Sequence, residues 1–273
     1  MSRIARQLVR LLRAPAPPQR RDLYPRQRNL ILDILEEGRR KPLIHLLTEV
    51  DLTDIRPRLR GNASLTAYVA KTFADAVAAR PLMQAYRQGR RGRVVFAEVD
   101  LAVMVERDLD GEPMPVPFVL RRCEAMELAV VQAALRQARY APLGEDGPWS
   151  ALESWFFTWP RALRRILWWW MRRDPSLFKA FAGTVGLTSM GMFSRGGALV
   201  LPVTPMTLTL SVGGIAPRVV LREGRPVEAA CLQLGLSADH RLIDGAPLMR
   251  FAQGLRERLE RGEVLQRGER GGR

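Results

Sequence analysis

Residues 234–245 read LGLSADHRLIDG. On the N-terminal side, Cys231, Leu232, Leu234 and Leu236 form a largely apolar run that predicts a buried strand. On the C-terminal side, Leu248, Phe251, Ala252, Leu255 and Leu259 recur at helical spacing, and Pro247 suits a first helical turn. Between them lie Ser237, Asp239, His240, Arg241 and Asp244. A short polar segment between two apolar elements can hold reactive side chains rigidly. His240 is one of only two histidines in 273 residues. Its imidazole can accept a proton at neutral pH, which makes it a general-base candidate. Asp244 either pairs with an arginine and braces the loop or caps the helix that follows. Residue types alone leave both roles open, and a histidine followed by Asp-Gly is a weak signal by itself.

The elements around this junction alternate. Leu30, Ile31, Ile34 and Leu35 predict a helix ending near Gly38, and Leu43–Thr53 a strand. His45 lies inside that strand between Ile44 and Leu46, where packing is the simpler reading. Ser64 can cap a helix whose buried stripe is Leu65, Tyr68, Val69, Phe73, Ala76 and Val77, with Pro81 at its exit. Arg93–Arg107 and Met114–Leu120 read as strands joined around Asp110-Gly111. Ala125–Tyr140 reads as a helix with Met126, Val130, Ala133, Ala134 and Gln137 or Ala138 near one face. Gly183–Gly191, GTVGLTSMG, reads as a strand entering a glycine-rich loop. Thr207–Val212, Pro217–Arg222 and Val227–Leu236 are further strands, with a turn at Glu223-Gly224. This order predicts an α/β sandwich of two layers on a mixed sheet.

Composition narrows the partners. A hydrophobic content of 47% is ample for a core, so the chain is globular. The net charge of +15 comes almost wholly from arginine and can attract nucleic acid, anionic lipid or a phosphorylated cofactor. Neither a zinc-ligand spacing nor a nucleic-acid motif is present, which disfavours nucleic acid and a metal site. Cys123 and Cys231 sit in apolar surroundings and are expected to be free and buried, which fits a reducing, cytoplasmic setting. No apolar run reaches the roughly 18 residues that span a bilayer, and the N-terminus lacks the pattern of a secretion signal.

Two segments stand outside the alternation. Residues 1–27 hold a basic amphipathic stretch, with Ile4, Leu8, Leu11 and Leu12 on one face, followed by the Pro-rich linker APAPP. It reads either as a membrane or partner-binding helix or as a frayed arm. Residues 141–182 interleave Trp149, Trp155, Trp159 and the run Trp168-Trp169-Trp170 with Arg161, Arg164, Arg165, Arg172 and Arg173. Indoles beside guanidinium groups suit a peripheral membrane interface or a protein contact. A helical insertion packed on its own domain explains them equally well.

SADHRLIDGAPLMRF closely resembles the active-site motif of the catalytic domain of 2-oxoacid dehydrogenase acyltransferases, the dihydrolipoyl acyltransferases, which share the chloramphenicol acetyltransferase-like fold. Gly183–Phe193, Leu47–Arg60, Ser64–Ala85 and Val99–Arg121 resemble further family segments, in the family's order, over about residues 28–263. Asp239 before His240 favours this branch over relatives that carry His-His. The resemblance implies transfer of an acyl group between coenzyme A, as substrate, and a thiol such as dihydrolipoyl. It implies His240 as base, Thr188 as oxyanion donor with Ser189 beside it, and Asp244 as loop brace, with Arg28 the N-terminal arginine to test as its partner. It also implies a homotrimer with active sites between subunits, and a lipoyl-bearing protein or dehydrogenase component as partner. No covalent lipoyl site is seen, and the family's C-terminal apolar anchor is reduced to Glu263-Val264-Leu265 before the basic tail 266–273, so a catalytic domain over 28–265 without a large cage is expected. The insertion lengthens a region the family keeps short. The alternative is a non-catalytic trimeric scaffold that docks to a membrane or dehydrogenase complex through the insertion and the N-terminal arm.

Overall fold

The computed structural model of the protein describes residues 28–59, 63–109, 112–140, 159–190 and 197–266. The N-terminal arm, the Asp110-Gly111 turn, residues 141–158 of the insertion and the basic tail lie outside the described residues.

In chain order the elements are α1 (Arg28–Gly38), β1 (Leu43–Asp51), the single turn α2 (Arg56–Leu59), α3 (Leu65–Ala78), the small ribbon β2 (Tyr86–Gln88) and β3 (Gly92–Val94), β4 (Leu101–Leu109) and β5 (Glu112–Leu120). Then come α4 (Leu128–Tyr140), α5 (Arg161–Arg173), α6 (Pro175–Ala182), β6 (Val185–Ser189), β7 (Leu208–Arg222), β8 (Arg225–Asp239) and α7 (Gly245–Arg261). Six strands form one sheet in the order β1-β8-β7-β6-β4-β5. The β4–β6 and β6–β7 pairs are parallel and the others antiparallel, which is the mixed sheet expected from the sequence.

Side chains alternate across each strand, so each face of the sheet has its own chemistry. One face carries Leu232, Leu234, Leu236, Leu208, Leu210, Val212, Leu187, Leu101 and Val103, all buried, and α3, α4 and α7 cover it. Ser64 caps α3 by accepting from the Ala67 amide at 3.2 Å, as its position predicts. Phe73 of α3 meets Phe251 of α7 edge-to-face at 6.1 Å, which ties the two central helices together. Val264 and Leu265 are buried in this same core, so the segment after α7 packs on its own domain.

The opposite face carries Ala102 and Val119, on which α5 and α6 build a second, smaller core from Trp168, Met171 and Phe178. Here α5 is fastened to α1 by charge. Arg164 Nε donates to Asp33 Oδ2 at 2.7 Å, with both groups buried, and Arg172 donates to Glu37 Oε1 at 2.5 Å. Arg161 and Arg165 lie within 3.5 and 3.8 Å of Glu36, and the Arg173 guanidinium stacks 3.5 Å from the Trp169 ring centre. The arginines of α5 thus find partners within the domain, Arg164 buried and Arg161 and Arg165 mostly exposed. Trp169, Trp170, Leu163 and Ile166 remain exposed on α5. Among the described residues, no helix is long and apolar enough to cross a membrane.

The structure revises three local expectations. The strand expected over residues 93–107 is split, because residues 95–100 leave the sheet. The Phe96 carbonyl accepts from Gln84, and the Val99 amide donates to Glu124. The two strands expected over 207–222 are one strand, with a bulge between Val212 and Ile215. Beyond that bulge β7 pairs, among the described residues, only with β8, so Pro217 faces no second described strand that would need its missing N–H. The buried face of α4 is one residue out of the expected register. Val131, Ala134, Leu135 and Ala138 point inward while Val130 is 50% exposed. The helix expected from Leu30, Ile31, Ile34 and Leu35 forms as α1, and these four residues line an open cavity.

Candidate active site

His240 sits in a tight turn directly after β8. Its backbone amide donates to the Pro42 carbonyl at 2.9 Å, and the Leu242 and Ile243 amides both donate to the Asp239 carbonyl at 3.0 Å. Ile243 is buried and plugs the turn into the core. The imidazole itself is half exposed, at 47%, with Nδ1 3.5 Å from Asp244 Oδ1. Asp244 occupies the cap position of α7, but its side chain makes no capping hydrogen bond and is 83% exposed. Arg28 opens α1, about 15 Å along that helix from Gly38.

The carboxylate that organises this turn is Asp239, 1% exposed. It accepts from Arg241 three times, from Nε at 2.8 Å, from Nη2 at 2.6 Å and from the backbone amide at 3.2 Å. Lys41 Nζ stands 3.4 Å from its other side. Burial raises the Asp239 carboxyl, yet the Arg241 hydrogen bonds and the Lys41 charge outweigh it and hold the group below the usual carboxylate range. Burial likewise pushes Lys41 down to about 8, against the pull of Asp239. Sequence reasoning used Asp239 only as a family marker and passed over Lys41. The Asp-x-Arg spacing across a turn was a usable signal. Lys41 meets Asp239 only because β1 and β8 pair antiparallel with Leu43 opposite Asp239.

Thr188 lies elsewhere. It is near the C-terminal end of β6, paired with Ser211 of β7, which in turn pairs with Gly235 of β8. From Gly235 to His240 is five residues along the chain, and from β6 to β8 is two strand spacings. At about 3.3 Å per residue and about 4.8 Å per strand, the two side chains of one chain stand roughly 20 Å apart. Ser189 Oγ lies 3.3 Å from Thr66 Oγ1 at the start of α3. Ser211, beside Thr188, is buried and its hydroxyl has no hydrogen-bond partner among the described residues. Gly183, before β6, has φ +81°, and a Cβ there would stand 2.6 Å from the Asp100 carbonyl, so glycine is required for the chain to enter this strand.

His45, the second histidine, places Nδ1 2.9 Å from Ser237 Oγ across the β1–β8 pair, a structural role consistent with its strand setting. Both cysteines are free and buried. Among the described residues, no group of three or more His, Cys, Asp or Glu side chains is placed to hold a metal ion.

Comparison with known proteins places the fold. Residues 180–266, which carry both Thr188 and His240, match the model of the 2-oxoacid dehydrogenases acyltransferase (catalytic domain). The dihydrolipoyllysine-residue acetyltransferase component of the pyruvate dehydrogenase complex from Bacillus subtilis is 44% identical over 76 residues, 27% of this chain and 17% of that protein. The chain thus matches only about a sixth of that relative's length. The cubic core of a pyruvate dehydrogenase multienzyme complex superposes with a TM-score of 0.66 at 16% identity, covering 92% of this chain and 99% of that one. The Azotobacter vinelandii dihydrolipoamide acetyltransferase, solved to probe a serine, a histidine and an asparagine in its mechanism, gives 0.66 at 15% identity with the same coverage. These two structures share the fold. Residues 180–266 are therefore similar to the catalytic domain of the 2-oxoacid dehydrogenase acyltransferases, within a chain whose described fold is shared with those two cores.

Proposed function

We propose that the protein is a CoA-dependent acyltransferase whose active site joins His240 of one subunit to Thr188 of its neighbour in a homotrimer. The observation that carries this reading is the separation of the two groups. A base and an oxyanion donor must both lie about 3 Å from the reacting atoms, and roughly 20 Å within one chain forbids that. The serine, histidine and asparagine named for the Azotobacter enzyme are spaced in sequence as Thr188, His240 and Asp244 are here, which supports the assignment of roles. Threonine for serine keeps the hydroxyl, and aspartate stands where that protein has an amide.

In this mechanism a proton held on His240 Nδ1 beside Asp244 leaves Nε2 as the basic nitrogen. Nε2 takes the proton from the acceptor thiol, dihydrolipoyl being the expected one. The thiolate sulfur attacks the acyl carbonyl carbon of the acyl-CoA thioester, and Thr188 Oγ1 donates to the resulting oxyanion. Collapse expels the CoA thiolate, which recovers the proton from the imidazolium. Arg28 is the arginine assigned to brace Asp244, supplied by whichever subunit brings it near. The arginine-rich surface suits the phosphates of CoA and an acidic dehydrogenase component or lipoyl-bearing protein. The two free, buried cysteines suit a reducing, cytoplasmic compartment. Burial of Val264 and Leu265 within the domain favours trimers that do not assemble further.

The test supplies purified protein with acyl-CoA and free dihydrolipoamide and follows thiol release. Turnover in the wild type that is lost in His240→Ala is the expected result. Turnover unaffected by that substitution would remove His240 as the base. A trimeric protein with no turnover on any acyl-CoA would favour the scaffold reading, in which the exposed Trp169-Trp170 face of α5 docks a protein partner.

A further inference from the structure

The cavity lined by α1 has a volume of about 930 Å³, at the upper end of the roughly 300–1,000 Å³ typical of small-molecule sites. Thr188 and Ser189 stand in its wall where β6 ends. From there it runs to Ile34 of α1, Leu135 of α4, Met171 of α5 and Val203 of the segment before β7. The lining is mostly apolar, with Glu106, Arg136 and Arg139 among the few charged groups. An acetyl group offers one methyl to such a space and leaves nearly all of it to water, against walls that are mostly apolar. The apolar stripe of α1 is turned into this cavity while its acids Asp33 and Glu37 are spent on α5. The helix is therefore oriented by its ion pairs so that its apolar side becomes cavity wall. The insertion supplies both the clamp and the wall beyond β4, through Leu167, Trp168 and Met171.

We propose that this cavity binds the hydrocarbon chain of a medium- or long-chain acyl thioester, with the carbonyl at Thr188 and the chain running between α1 and α5. The proposal rests on the acyltransferase reading and names its substrate class. The carbonyl oxygen meets the Thr188 hydroxyl, the chain displaces water from the apolar walls, and Arg136 and Arg139 offer cations to the CoA phosphates.

The experiment measures binding of acetyl-, hexanoyl-, decanoyl- and palmitoyl-CoA, each below its micelle concentration, to the full chain. Wild type and His240→Ala are measured alongside Leu35→Trp and Val203→Trp, two part-exposed wall positions where a larger side chain fills the cavity. The dissociation constant is expected to fall roughly two- to fourfold per added methylene until the cavity is full. The slope should be the same in His240→Ala and much flatter in both tryptophan variants. A flat slope in the wild type, or a slope that the tryptophans leave unchanged, overturns the proposal. The two readings fail separately. Turnover of acetyl-CoA with a flat slope sinks the chain site and leaves the acyltransferase, whereas a steep slope with no turnover at any length does the reverse.

Discussion

Replacing Asp239 by asparagine removes the charge that gathers Arg241 and Lys41 around the His240 turn. The perturbation keeps the volume, so its cost is electrostatic. Losing one partner of a fully buried ion pair costs about 3–5 kcal/mol. Asp239 itself is buried, but the Arg241 side chain is 34% exposed and recovers hydration when its partner goes. Discounting for that exposure gives about 2 kcal/mol. At about 2–4 °C per kcal/mol for a domain of this size, the melting midpoint should drop by about 4–8 °C. The pH dependence has a definite sign. Because the folded carboxyl is held below its ordinary range, its contribution is present above the unfolded value of about 3.9. It is lost as the pH falls through the lower folded value, so the wild type loses its advantage over the variant in acid. Differential scanning calorimetry from pH 2 to 7 measures both effects. A midpoint unchanged at pH 7, or a gap that does not narrow as the pH falls below the unfolded value of about 3.9, would refute the role assigned to Asp239. Acyl transfer should fall as well, since the turn that holds His240 loosens.

Further outcomes follow from the same geometry. Lys41 has a folded pKa of about 8, so between about pH 8 and 10.5 the unfolded chain binds more protons and stability should rise with pH. Urea titrations across that window should show the rise in wild type and its loss in Lys41→Met. Ser211→Ala removes a buried hydroxyl that has no partner, so chemical denaturation should show it neutral or up to about 1 kcal/mol stabilising. A loss above about 1 kcal/mol would mean the hydroxyl is bonded. Thr188→Ala should lower kcat by about 100- to 1,000-fold with the fold intact, and Thr188→Ser should restore most of it.

Much of this architecture is legible in the residues. The apolar run before His240 and the helical spacing after it locate β8 and α7, because burial on one face leaves a period that needs no tertiary knowledge. The Ser64 cap is equally local. Where local pattern is degenerate it misleads. Val130 and Val131 are interchangeable by composition, and only packing on α3 selects Val131. Gly213-Gly214 and Pro217 look like an interruption, yet a bulge and an unpaired strand edge absorb them. The clamp of α5 on α1 joins Arg164 to Asp33 across 131 positions, a distance at which sequence carries no sign of pairing. The same holds for Lys41 at the His240 turn. The Trp/Arg composition of the insertion leaves an outward face and a packed one equally open, and only the ion pairs of Arg164 and Arg172 with α1 show how the helix is seated. The cavity is less legible still, since it is a space between α1, α4, α5 and β6 that no single segment encodes.

The shared site is tested most directly by mixing two dead variants. His240→Ala and Thr188→Ala are co-expressed with different affinity tags, and trimers carrying both tags are purified and assayed for acyl transfer. With each site built from His240 of one subunit and Thr188 of the next, every trimer that carries both variants, in either 2:1 ratio, keeps one of its three sites intact. Purified mixed trimers should therefore recover about a third of wild-type activity, while each variant alone stays near zero. Mixed trimers as inactive as either parent would place both groups in one chain's site or in none, and would contradict the two-subunit active site.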